Sequence, residues 1–73
     1  MENNETYCYF GSTLFKTDVN GNDFWINTKF HDSWQEVDFE RGPHPSVDYP
    51  KLDRENALEF ALKLGMSEEN FEG

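Results

Sequence analysis

Two histidines, one cysteine and a surplus of carboxylates are the groups whose types suggest chemistry in this chain. His31, Asp32 and His44, with Cys8, could supply the N, O and S donors that zinc takes. Zinc sites usually rest on a close pair such as CxxC or HxxxH, which one stretch of backbone presents together. Here the histidines stand thirteen positions apart and Cys8 belongs to a different segment. Nucleophilic catalysis would need Cys8 or a serine beside a histidine base, with a third group orienting that base. The Tyr7-Cys8-Tyr9 context is that of an ordinary strand cysteine. No glycine-rich phosphate loop and no calcium-loop spacing occurs. Neither a metal nor any other cofactor is expected, and the chain reads as a protein without enzymatic activity.

The carboxylates themselves carry more information. Fifteen Asp and Glu against six Lys and Arg give a formal net charge of −9. Residues 31–59 hold eight of the acids and three of the bases. Within them Glu36, Asp38 and Glu40 alternate along a strand pattern, about 6.7 Å apart at a rise of roughly 3.3–3.4 Å per residue. That interval is close to every second phosphate of a nucleic-acid strand, at about 3.4 Å each. Asp48 extends the field. Trp34 shares the predicted face of the ladder, and Trp25 the matching face of the neighbouring strand. Rings beside charge make good interface anchors and stack on arginine. The candidate partner-binding set is therefore Trp25, Trp34, Glu36, Asp38, Glu40 and Asp48. The plainer alternative is a solvated outer sheet face.

These residues need a scaffold, and 73 residues allow one small domain. Aromatic residues make up 16% of the chain, enough large rings to build a core despite the charge. Residues 1–5 are polar and expected to fray. Thr6–Phe10 and Thr13–Thr17 are strand-like, and the reading favours one long strand bent at Gly11-Ser12. Asn20-Gly21 suits a two-residue type I′ turn, which would place Phe15 opposite Ile26 and Thr17 opposite Phe24. Asp18 would then face Asp23, a like-charge pair that counts against this register. A turn at His31-Asp32-Ser33 leads into a third strand over residues 34–40.

Residues 41–52 hold three prolines and form a long connection, with Tyr49 and Leu52 as its pins. Asp53 then caps a helix whose apolar stripe is Ala57, Phe60, Ala61 and Leu64, stopped at Gly65. Ser67 can cap one further turn, and Phe71 can fold back on the core. The fold class expected is α+β: a three-stranded antiparallel meander, its first strand bent or split, packed on one C-terminal helix. The Phe15/Ile26/Val37/Phe39 face would meet that helix.

An acidic balance of this size excludes a conventional nucleic-acid binder, which needs a basic footprint. No apolar run spans a membrane, and no signal-peptide core follows Met1. A lone cysteine suits a reducing cytoplasm. In composition the chain is similar to small acidic inhibitors of nucleic-acid enzymes, such as phage anti-CRISPR and anti-restriction proteins and the immunity proteins of nuclease toxins. The function expected is occlusion of a basic, nucleic-acid-binding surface on a partner protein. The alternative is a self-associating homodimer or accessory module.

Overall fold

The computed structural model describes residues 5–29 and 33–72. Of the fraying expected over residues 1–5 and the turn expected at His31-Asp32-Ser33, all but Glu5 and Ser33 lie outside the described residues, as does the metal-ligand candidacy of His31 and Asp32. The fold is α+β, as expected. Among the described residues, five strands form one antiparallel sheet: β1 (Thr6–Phe10), β2 (Thr13–Thr17), β3 (Asp23–Ile26), β4 (Gln35–Glu36) and β5 (Lys51–Leu52). Their spatial order is β4-β3-β2-β1-β5. The first four make a meander, and the chain then crosses one face of the sheet to lay β5 against β1.

Gly11-Ser12 is a hairpin turn, which corrects the single bent strand. Phe10 pairs with Thr13, and Gly11 takes φ +60°, as the first central residue of a type II′ turn does. The second hairpin corrects the expected register by one residue. Thr17 pairs with Asp23, Lys16 with Phe24, Phe15 with Trp25 and Leu14 with Ile26. The cause is Asp18, whose carboxylate accepts the backbone N–H groups of Asn20 and Asn22, each at 2.9 Å. Those bonds, Asn22 first, hold the Asp18 carboxyl below its ordinary range. The turn closes from Gly21 N–H to Asp18 O, with Gly21 at φ +86° absorbing the left-handed step. The wider loop also separates Asp18 from Asp23.

A one-residue slip exchanges faces. Tyr7, Leu14 and Ile26 therefore meet the helices, together with Ala57, Ala61, Met66 and Phe71. Phe15 lies on the opposite face, so the expected Phe15/Ile26/Val37/Phe39 core face is divided between the two sides. Helix α1 (Arg54–Lys63) begins at Asp53, which accepts Asn56 N–H at 2.8 Å, as the cap signal foretold. It ends in a Schellman motif: Gly65 N–H bonds Leu62 O and Met66 N–H bonds Ala61 O. Helix α2 (Glu68–Glu72) starts at Ser67, whose Oγ accepts Asn70 N–H, and carries Phe71 into the core.

Phe71 stacks on Tyr7 with centroids 5.6 Å apart, and the Tyr7 hydroxyl donates to Glu5. Burial, reinforced by that carboxylate, pushes the Tyr7 phenol up to about 12.

Candidate functional site

The second face of the sheet is covered by residues 37–50, an irregular strap rather than a helix. Strand β4 ends at Glu36, so the expected strand over residues 34–40 is cut to two residues. Asp38 breaks it. Its carboxylate accepts Glu40 N–H at 2.9 Å and Arg41 N–H at 3.3 Å, and its carbonyl accepts Gly42 N–H. An aspartate that satisfies the following backbone in this way competes with the sheet ladder. The even carboxylate spacing of Glu36, Asp38 and Glu40 is lost with it. All three remain exposed, as does Asp48 further along the strap.

Of the two candidate anchors, Trp34 lies on the helix side. Its indole N–H donates to Phe71 O at 3.0 Å, and its ring stands 4.5 Å from the buried Lys16 ammonium. Trp34 thus serves the core. Trp25, half-buried, lies on the strap side between Phe15 and Gln35 in the register. The six candidates therefore do not form one face.

Aromatic residues outside the candidate set do come together. Tyr49 stacks on Phe10 at 4.8 Å and on Phe15 at 5.9 Å, pinning the strap as expected. Just beyond it, Pro50 O accepts Tyr9 N–H, and Lys51 and Leu52 pair with Cys8 and Tyr7. This short edge strand β5 was unforeseen. Elsewhere the strap leaves apolar groups in solvent: Phe39 is 60% exposed and Val47 90% exposed. His44 stacks on Phe39 at 5.6 Å, and its Nδ1 lies 3.2 Å from Pro45 O. Phe39 and Val47 border a groove whose floor includes Cys8 and Phe15.

Cys8 is nearly buried, and burial pushes its thiol above the ordinary range against the pull of the Lys51 ammonium. A protonated thiol is a poor nucleophile at neutral pH. Among the described residues, no three of His, Cys, Asp and Glu gather as a metal site. No described helix is long and apolar enough to cross a membrane. What the strap presents is exposed apolar groups among exposed carboxylates. Against known protein families, curated proteins and solved structures, the chain matches none.

Proposed function

We propose that the protein is a non-enzymatic, cytoplasmic binding module that covers a basic, nucleic-acid-binding surface on a partner protein. The observation carrying this reading is the strap, where exposed Phe39 and Val47 share one short segment with Asp38, Glu40 and Asp48. Apolar contact supplies affinity, while the carboxylates engage lysines and arginines that otherwise grip phosphate. Phe39 and Val47 take over the anchoring role first assigned to Trp34; Trp25 stays in the proposed set, and Glu36, which pairs with Phe24 on the face opposite Trp25, contributes from the exposed sheet edge. Long-range attraction from a charge of −9 speeds encounter and makes it salt-sensitive. Self-association through the same strap is disfavoured, because a second copy would bring Asp38, Glu40 and Asp48 against their own kind.

The test is capture on the immobilised protein, followed by elution with salt and with duplex DNA. A nucleic-acid-binding protein released by both is the expected result. The variant combining E36Q, D38N, E40Q and D48N keeps side-chain shape, and asparagine at position 38 still caps the turn. It should retain that partner about tenfold less well. Unchanged retention, or a dimer in sedimentation with no partner recovered, would contradict the reading.

A further inference from the structure

The strap does not seal the sheet beneath it. Phe39, Pro45 and Val47 on one side and Cys8 and Phe15 on the other enclose an open groove of about 330 Å³. Its walls are mostly carbon and sulfur. The carboxylate at its margin, Asp23, already accepts the Thr17 hydroxyl, and the Lys51 ammonium lies at the same groove. A cation is therefore poorly served inside it, and an apolar group well served. Outside, the strap turns the opposite way, with Asp38, Glu40 and Asp48 exposed and Arg41 the one opposing charge between them.

We infer that this groove receives a single bulky apolar side chain from the partner, flanked in the partner's sequence by lysine or arginine that meets the strap carboxylates. The inference deepens the binding reading above and rests on it. Burying one large side chain supplies the strength that exposed ion pairs lack, and the flanking charges set its approach. A second copy of this chain is disfavoured as occupant, because it would bring like charge against like. Occupancy also hides Cys8, which is 8% exposed on the groove floor and so reports from within it.

The experiment compares two capped pentapeptides by calorimetry at low salt. One carries tryptophan between two lysine–arginine pairs, and the other carries alanine there. The tryptophan peptide should bind about tenfold more tightly and shift the Cys8 amide resonance. Phe39→Ala changes a largely exposed side chain, so the fold survives. It should shrink the tenfold preference to under about threefold. Equal, salt-sensitive binding of both peptides would overturn the groove inference while leaving the acidic surface standing. A tryptophan preference that survives D38N, E40Q and D48N together, with no loss of affinity, would overturn the flanking charges and the binding reading with them.

Discussion

The two faces of this sheet are covered in opposite ways. On one face, two capped helices press Leu14, Ile26, Ala57, Ala61 and Phe71 out of solvent. On the other, a strap held by Asp38, Tyr49 and Pro50 shelters Phe15 but leaves Phe39 and Val47 outside. Both faces are acidic: Glu55, Glu59, Glu68, Glu69 and Glu72 belong to the helices. Charge alone therefore does not distinguish a binding side from a solubilising one. In the proposed reading, exposed apolar groups in an irregular segment do. The helix side is where stability resides, and the strap side is where surface remains available.

The largest expected contrast is between two phenylalanines. Phe71→Ala empties a site shared with Tyr7 and Trp34 and should cost about 3–5 kcal/mol in urea unfolding. A domain of this length has roughly 4–11 kcal/mol in total. Phe39→Ala, on the strap, should cost about 0.5 kcal/mol or less. Comparable losses would break the distinction between the faces.

Next in size is an alkaline effect belonging to the helix side. Folded Tyr7 keeps its proton to about pH 12, whereas the unfolded chain releases it near 10.0. The unfolded state thus binds fewer protons across that interval, and stability falls as pH rises from about 10 to 12. The loss should approach about 2 kcal/mol, and Tyr7→Phe should remove Tyr7's share of the slope in denaturation series at fixed pH steps.

Two aspartates sharpen the comparison further. Asp53→Ala removes the α1 cap and should lower global stability by about 1 kcal/mol. Asp38→Ala should instead act locally, raising hydrogen exchange at the Glu40, Arg41 and Gly42 amides while the global unfolding midpoint hardly moves. The smallest effect belongs to Glu72, which pairs with Arg54 in the open. Glu72→Gln should change stability by no more than about 0.5 kcal/mol, and by less in high salt.

Much of the helix side was legible in the chain because its signals are local. Asp53, Gly65 and Ser67 announce their caps within four residues, and Phe71 follows the last of them. The sheet was harder. Leu14-Phe15 and Tyr7-Cys8 are each buried as adjacent pairs, so alternation cannot say which member faces the helix. The register turned on Asp18 folding over Asn20 and Asn22, a contact that outweighed the Asn-Gly preference. Asp38 hid a turn inside what reads as strict alternation. The carboxylates were recognisable as surface residues from composition. The exposure of Phe39 and Val47 was not, because it depends on where the strap crosses the sheet and on β5 pairing with a strand more than forty residues earlier.

The most direct test of the strap as the binding side is an amide shift map of the isotopically labelled protein titrated with the tryptophan-centred basic peptide. The account predicts shifts concentrated in residues 36–51 and at Cys8 and Phe15, with α1 and α2 unmoved. Shifts spread over Glu55, Glu59, Glu68 and Glu69, following charge wherever it lies, would contradict it.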